Sequence, residues 1–263
     1  MNRKLLYLLL FVFSTFITKK SIAQDMSLFE KQTFVNKGDT LLYRILLPDN
    51  FDSSKKYPLV LFLHGAGERG SDNEQQLTHG AKLFLKDSVR KQFPAIVIFP
   101  QCPANNYWSN VKISSVANNR TFNFQVDGDP TLPLALTQKM LKDYIKKGNV
   151  NSKKVYIMGL SMGGMGTFEM LWRNPKLFAA AVPICGGARP ETVTKYAKKT
   201  AVWIFHGAKD SVVPVEFSRT MYKALQDAGC KVKYTEYPEV NHNSWDNAFA
   251  EPSLLSWLFS LSK

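Results

Sequence analysis

The feature that most constrains this chain is a Gly-x-Ser-x-Gly sequence, Gly159–Gly163, placed between a buried apolar run and a helical pattern. The apolar run Val155–Met158 predicts a strand, and the helical pattern begins directly after Ser161. A turn this sharp leaves almost no room for side chains beside the serine, which explains the two glycines. The pattern therefore predicts a nucleophilic Ser161 at the end of a strand, next to the first amides of a helix.

Apolar runs like Val155–Met158 recur along the chain and alternate with helical patterns. Because these runs are continuously apolar, both faces of each strand are expected to be covered, as in a parallel sheet between two helical layers. We therefore predict the α/β class, with a mostly parallel central sheet and helices on both faces. The other predicted strands are a hairpin within Gln32–Leu47, then Leu59–Leu63, Ala95–Pro100, Ala179–Ile184, Ala201–His206 and Val232–Tyr237.

The first 23 residues carry a different pattern. Arg3 and Lys4 precede the apolar run Leu5–Ile17, and small residues follow at a suitable cleavage position. This predicts a secretory signal peptide at residues 1–23, export to the periplasm or the cell exterior, and a single catalytic domain at residues 24–263. No stable membrane insertion is expected after cleavage, and an uncleaved anchor is the alternative.

Charge and metal-binding residue types exclude several kinds of partner. The formal net charge of +13 falls to +9 without residues 1–23, which hold four basic residues and no acidic one. Lys and Arg are spread along the chain without an aromatic ladder, so a solvated basic surface is predicted, with no nucleic-acid partner. The histidines have no ligand spacing, so no metal is predicted. The sequence leaves open the oligomeric state and whether Cys102, Cys185 and Cys230 include a disulfide.

A serine hydroxyl needs a base, oriented by a carboxylate, to act as a nucleophile near neutral pH. Two histidines follow Ser161 in the chain. His206 ends a buried strand and is predicted to be structural, whereas His242 lies in a polar loop after the last strand. Asp210 follows the strand Ala201–His206 directly, where the orienting carboxylate is expected. The order of these residues predicts a catalytic triad of Ser161, Asp210 and His242.

The negative oxygen of a tetrahedral intermediate also needs two amide donors. The Met162 amide follows the serine directly. The Ala66 amide lies in a glycine-rich loop after the strand Leu59–Leu63, and both amides are predicted to form an oxyanion hole. Gly65 would let this loop approach a substrate, so it is predicted to bind substrate. His64 is predicted to orient the loop rather than to react.

The polar and aromatic segment Ala104–Thr131 is predicted to be an irregular binding loop that covers the site. It contains Trp108, and a second tryptophan, Trp245, lies three residues after His242. Both tryptophans are predicted to shape the substrate pocket, where a ring would stack on a sugar or an aromatic acyl group. Simple packing beneath a loop is the alternative for each of them.

The stretches that identify a family are His64–Gly70, Pro100–Pro103, Gly159–Gly164, Pro183–Gly187, Gly207–Pro214 and His242–Trp245. With them, residues 41–262 resemble the α/β-hydrolase superfamily. More narrowly they resemble secreted esterases related to polyhydroxybutyrate depolymerases, feruloyl and acetylxylan esterases, and the phospholipase/carboxylesterase group. Some of these are classed as peptidases or prolyl-oligopeptidase-like hydrolases. The resemblance implies a three-layer α/β-hydrolase fold and cofactor-free ester hydrolysis through an acyl-enzyme.

We therefore expect an exported serine carboxylesterase that acts on small-molecule or polysaccharide esters, short-chain, acetyl or feruloyl. A serine peptidase of prolyl-oligopeptidase-like type is the first alternative. A non-catalytic binding protein with the same fold is disfavoured because Ser161, Asp210 and His242 are all present. Thiol-dependent hydrolysis is disfavoured because it would place a cysteine where Ser161 stands.

Overall fold

The computed structural model describes residues 25–116 and 119–263, so the predicted signal peptide lies outside the described residues. Within the described part, no helix is both long enough and apolar enough to span a membrane. The strands are β1 (Glu30–Asn36), β2 (Asp39–Leu46), β3 (Tyr57–Leu63), β4 (Ile96–Pro100), β5 (Val111–Val116), β6 (Asn119–Phe124), β7 (Val150–Leu160), β8 (Ala180–Ile184), β9 (Ala201–Gly207) and β10 (Val232–Tyr237). The α-helices are α1 (Ala81–Phe84), α2 (Asp87–Gln92), α3 (Leu132–Lys146), α4 (Met162–Arg173), α5 (Glu216–Asp227), α6 (Trp245–Ala250) and α7 (Leu254–Ser260).

Eight strands form the central sheet, in the order β1-β2-β4-β3-β7-β8-β9-β10. The strands from β4 to β10 in this order pair in parallel, and β1 and β2 add an antiparallel hairpin at one edge. The mostly parallel sheet predicted from the continuous apolar runs is confirmed. Because the parallel strands share one direction, the loops that follow β3, β7, β8 and β9 meet at the same edge of the sheet.

The sheet separates two layers of the hydrophobic core. On β3, Leu61 and Leu63 belong to the cluster that includes α3, α4 and α5. Val60 and Phe62 point into the other cluster, which includes α1 and α7. Successive side chains of a strand point to opposite faces, so a strand covered by helices on both sides must be apolar throughout. The predicted three-layer fold, with helices on both faces, is confirmed.

The segment Ala104–Thr131 differs from its prediction. It contains an antiparallel hairpin, β5–β6, that stands apart from the central sheet. The prediction of an irregular loop was therefore wrong. The sequence did hold a signal for a strand, because Phe122 and Phe124 alternate with polar residues as a half-buried strand requires. These two rings contact Phe217 of α5 edge-on, at centroid distances of 5.7 and 5.5 Å. One face of the hairpin is thus fixed against the domain.

Candidate active site

Ser161 lies on the strand-to-helix turn that the sequence predicts, between the end of β7 and the start of α4. Its backbone has φ 54° and ψ −116°, a conformation that L-residues rarely adopt. A Cβ on Gly163 would lie 1.9 Å from the carbonyl oxygen of Leu63, and one on Gly159 would lie 2.3 Å from that of Gly163. Close packing of backbone against backbone therefore requires glycine at both positions and fixes the serine above the sheet.

The structure brings Ser161, His242 and Asp210 together. The Ser161 Oγ lies 2.9 Å from His242 Nε2, and His242 Nδ1 lies 2.8 Å from Asp210 Oδ2. Because a carboxylate only accepts hydrogen bonds, Nδ1 carries the proton and Nε2 is left to accept one from the serine hydroxyl. This is the tautomer that a general base beside a serine requires.

The side chain of Asp210 is buried, and both of its oxygens accept hydrogen bonds. Its Oδ1 accepts hydrogen bonds from the amides of Val212 and Val213, at 2.8 and 2.9 Å. Its Oδ2 accepts from His242 and also from a second histidine, His206, whose Nε2 is 3.1 Å away. Burial alone would raise the pKa of Asp210, but the hydrogen bonds from both histidines outweigh burial and hold it well below its usual range. The carboxylate is therefore ionised wherever a histidine base could act.

The loops that carry Asp210 and His242 are joined by Asn241, a residue that the sequence analysis did not single out. Its side-chain oxygen accepts hydrogen bonds from the amides of His242 and Ser211, at 2.7 and 2.9 Å. Gly207 approaches the same loop so closely that a Cβ there would lie 2.3 Å from the carbonyl oxygens of Val240 and Asn241. The distance between acid and base is thus set by the Asn241 side chain together with main-chain packing.

The loop after β3 carries the predicted oxyanion donor Ala66. His64 is buried, and its Nδ1 donates to the Gly65 carbonyl at 2.6 Å while its Nε2 accepts from the Cys102 amide at 3.0 Å. Burial lowers the pKa of His64 to about 4, so the ring stays neutral. Arg69 Nε donates to the Ala66 carbonyl at 2.9 Å. These contacts place His64 where it can orient the loop after β3, as the sequence predicts.

A cavity of about 270 Å³ opens above Ser161 and His242. Its walls include Gly65, Ala66 and Trp245, as predicted, whereas Met162 is buried and its amide is the first of α4. The ring of Trp245 meets that of His242 edge-on, with centroids 5.3 Å apart. The β5–β6 hairpin and the loop before it contribute Tyr107, Ile113, Arg120 and Phe122. All four belong to the segment Ala104–Thr131, which the sequence predicts to cover the site.

Trp108 does not line the cavity, and its assignment to substrate binding was wrong. The side chain is fully buried, and its Nε1 donates to the His64 carbonyl at 3.2 Å. A Cβ on Gly166 of α4 would lie 2.6 Å from the Trp108 Cβ, so the absence of a side chain at Gly166 makes room for the indole. Trp108 therefore packs beneath the loop that carries Ala66, which was the alternative considered for it.

Among the described residues, Cys185, Asp210 and His242 are the one group that brings three metal-ligating side chains within 4.8 Å of one another. Asp210 and His242 are already hydrogen-bonded to each other. Burial raises the pKa of Cys185 well above its usual range, so its sulfur is a neutral thiol. All three cysteines of the chain are free. The arrangement suits proton transfer to and from Ser161 better than metal ligation.

Comparisons with known proteins agree with this geometry. Residues 51–253 match the sequence family described as phospholipase/carboxylesterase. A probable carboxylesterase of Arabidopsis thaliana, SOBER1-like, is 27% identical over 225 residues, which cover 80% of each chain. A secreted protein of Arthroderma benhamiae is 27% identical over 253 residues, 81% of this chain and 25% of that one.

One solved structure, that of a thermostable esterase, is 36% identical to this chain and superposes with a TM-score of 0.80. The superposition covers 90% of this chain and 64% of that esterase. The chain thus spans less than two thirds of that esterase and a quarter of the fungal secreted protein.

Proposed function

The chain belongs to the phospholipase/carboxylesterase family and is a serine carboxylesterase, and we propose that it hydrolyses esters through an acyl-enzyme on Ser161. The observation that carries this proposal is the hydrogen-bonded series from Ser161 Oγ through His242 to Asp210, open to a cavity. A serine whose hydroxyl donates to a histidine, itself oriented by a buried carboxylate, is an activated nucleophile.

In the first half of the reaction, His242 Nε2 takes the Ser161 proton while Oγ bonds to the ester carbonyl carbon. The electron pair of the C=O bond moves to oxygen, where the amides of Met162 and Ala66 would stabilise the negative charge. When this intermediate collapses, the C–O bond to the alcohol breaks and His242 gives its proton to the departing oxygen. The acyl group remains on Ser161, and the alcohol is the first product.

In the second half, a water molecule takes the place of the alcohol. His242 Nε2 accepts one water proton while the water oxygen bonds to the acyl carbon, and the same two amides stabilise the second intermediate. Its collapse breaks the bond to Ser161 Oγ, and His242 returns the proton to the serine. The carboxylic acid leaves, and the enzyme regains its starting protonation state.

We propose short acyl esters and phenolic esters such as feruloyl esters, free or on polysaccharides, as substrates. The cavity of about 270 Å³ is small for a ligand site, since such sites commonly measure about 300–1,000 Å³. Its aromatic walls, Tyr107, Phe122 and Trp245, suit a sugar or phenolic ring. A long alkyl chain would require an extended apolar tunnel, which this volume does not offer.

We also propose that the enzyme is exported. The basic and apolar pattern of residues 1–23 supports this location, and so does the similarity to a secreted protein of Arthroderma benhamiae. Fusion of residues 1–30 to a reporter enzyme that is active only after export would test it. Reporter activity that disappears when Leu5–Ile17 is interrupted by two lysines supports export, and equal activity of both fusions contradicts it.

The proposed chemistry is tested by covalent labelling together with an ester panel. A fluorophosphonate should label wild-type protein once, at Ser161, and Ser161→Ala should remove both the label and about 10⁴-fold or more of the esterase activity. Ser256→Ala, at an exposed serine of α7, is the matched control and should behave as wild type. The panel contains acetyl, butyryl, decanoyl and feruloyl esters, acetylated xylan and a proline-containing peptide.

Labelling at another serine, or activity retained in Ser161→Ala, would contradict the assignment of the nucleophile. Preferred cleavage of the decanoyl ester would contradict the proposed substrate class. Efficient cleavage of the peptide with slow cleavage of every ester would favour the peptidase alternative.

A further inference from the structure

The triad aspartate contacts a second histidine that the proposed reaction does not use. His206 is completely buried near the end of β9, and its Nε2 lies 3.1 Å from Asp210 Oδ2. The carbonyl oxygen of Val213 is 3.0 Å from the same nitrogen. Because both neighbours of Nε2 are acceptors, this nitrogen carries a proton and donates it to Asp210. The oxygen that receives the His242 hydrogen bond therefore receives one from His206 as well.

The two oxygens of Asp210 are held in different ways. Oδ1 is held by the amides of Val212 and Val213, which belong to the same loop as Asp210. With Oδ1 alone fixed, the carboxylate could still pivot and move Oδ2 relative to His242. His206 supplies a fixed point for Oδ2 from outside the loop, because it belongs to β9, which pairs with β8 on one side and β10 on the other.

The His206 ring is itself held in place. Its Nδ1 lies 2.7 Å from the Ser218 Oγ of α5, and this hydroxyl lies 3.4 Å from the Gly186 carbonyl beyond β8. The ring thus connects a strand, a helix and the Asp210 loop through hydrogen bonds to both of its nitrogens. A buried donor with both nitrogens engaged has little freedom to move, so it can fix the position of its acceptor.

We propose that His206 is a positioning residue of this active site. It holds Asp210 Oδ2 at the place where His242 needs it, and it limits how strongly that oxygen attracts the His242 Nδ1 proton. This inference rests on the proposed function, because it requires Asp210 to act through His242.

Among the charged and titratable groups around His206, Asp210 is the one that it contacts through a hydrogen bond. Glu236 of β10 is the register neighbour of His206, but its carboxylate pairs with Arg219, which is the main cause of its lowered pKa. Tyr234 also donates to Glu236. Cys185 is a buried thiol whose pKa burial raises, so it carries no charge. Asp210 is the remaining charge in direct contact with His206.

The test compares three substitutions that differ in their reach toward Asp210. His206→Leu removes the donor and replaces the ring with an apolar side chain of similar length. His206→Asn keeps a polar group near the position of Nδ1 but is too short to reach the carboxylate. His206→Gln carries an amide N–H at the reach of Nε2 and should rescue the effect.

For the Leu and Asn variants we expect kcat for a short acyl ester to fall about 10- to 100-fold, with KM within about twofold of wild type. The acid limb of the pH dependence of kcat/KM should move upward by about 0.5 to 1 pH unit, because an unshared carboxylate favours the charged form of His242 more strongly. The Gln variant should recover most of kcat and the original acid limb.

A second measurement does not depend on activity. The titration midpoint of the His242 ring, followed by ¹⁵N NMR in a Ser161→Ala background, should move upward in the Leu and Asn variants and return in the Gln variant. Thr200→Val is the matched structural control. It removes the buried hydrogen bond that Thr200 donates to the Phe178 carbonyl. Thr200 directly precedes β9, at the end of that strand opposite to His206. It should lower stability without moving either the acid limb or the NMR midpoint.

The inference is overturned if the folded Leu and Asn variants keep the wild-type acid limb and midpoint, even when kcat falls, because a merely structural role would have that result. Equal behaviour of Gln and Leu would overturn it as well. If the wild type cleaves no ester, the proposed function fails, and the NMR midpoints still decide whether His206 acts on the Asp210–His242 pair.

Discussion

The loops that carry the triad and the β5–β6 hairpin border the same cavity but are held by different forces. Gly163 and Gly207 allow backbone to pack on backbone in the triad loops, with approaches that admit no side chain. The hairpin is held by side chains. At its base the Ser109 hydroxyl and the Asn110 amide donate to Glu169 of α4, at 2.8 and 2.7 Å. Higher up, its aromatic residues pack on α5.

This difference suggests a division of roles. Main-chain packing, together with the side chains of Asn241 and His206, sets the positions of the reacting groups, so few single substitutions can adjust them without a large loss. Side chains of the hairpin set the shape of the cavity, so they can change one by one while the chemistry is kept. Ile113 shows this freedom, since it borders the cavity and is still 42% exposed. Binding and catalytic residues carried by a loop on a rigid scaffold often show this separation.

The largest expected effect belongs to the triad loops. Asp210→Asn should lower kcat about 10³- to 10⁴-fold, because an amide can donate to His242 and so favours the wrong tautomer of the base. KM should change little, since Asp210 is buried and does not border the cavity. Steady-state kinetics with a short acyl ester would measure both constants.

The matched control is Glu239→Gln in the neighbouring loop, where the carboxylate forms an exposed ion pair with Lys209. It should retain activity within about twofold, because an exposed ion pair contributes little. A nearly silent Asp210→Asn together with an inactive Glu239→Gln would show that the triad acid has been misassigned.

The second prediction tests how Trp108 connects the two regions. Because its indole is fully buried under the Ala66 loop, Trp108→Ala should lower the free energy of unfolding by about 3–5 kcal/mol. Urea-induced unfolding would measure this loss. A raised KM with unchanged stability would instead indicate that Trp108 binds substrate.

Trp245→Ala provides the contrast, because this ring borders the cavity and is only half-buried. It should change kcat/KM more than it changes stability. Equal stability losses for both tryptophan variants would remove the distinction between a supporting and a cavity-lining ring.

The third prediction concerns backbone packing at the serine turn. Gly163→Ala should lower the free energy of unfolding by about 3 kcal/mol or more, because the new Cβ would meet the Leu63 carbonyl and neither backbone can move aside easily. Gly67→Ala is the control, since a Cβ at Gly67 would meet nothing within 4 Å. Its stability should stay within about 0.5 kcal/mol of wild type. Comparable losses at both glycines would contradict the steric explanation.

Sequence reasoning reached the central sheet and the order of the triad residues because both depend on local patterns. A continuous apolar run such as Leu59–Leu63 has few other interpretations, and Ser161, Asp210 and His242 each follow a strand in the chain. The orientation of Trp108 depends on its contact with Gly166, 58 positions further along. No local pattern reports such a pairing.

The contact between His206 and Asp210 could not be predicted from the sequence for a related reason. A histidine at the end of a buried strand is expected to be structural, and nothing in the sequence shows that the following turn brings Asp210 back to its ring. The Gly207 carbonyl accepts the Asp210 amide at 3.2 Å and closes that turn. The hairpin was missed although Val111 and Ile113 alternate with a polar residue in β5, as Phe122 and Phe124 do in β6, because the alternation covers only a few residues of each strand.

The smallest expected effect belongs to the hairpin, at Phe122. This ring borders the cavity and contacts Phe217, so Phe122→Ala should remove apolar contact with an aromatic acyl group but leave the triad in place. KM for a feruloyl ester should rise about fivefold, with kcat within about twofold, as expected when ground state and transition state lose the same contact. Asn123→Ala is the matched control, because successive strand residues point to opposite faces and its exposed side chain lies away from Phe122. A parallel fall in kcat for Phe122→Ala would mean that the hairpin also positions the reacting groups, and the two regions would then not be separable.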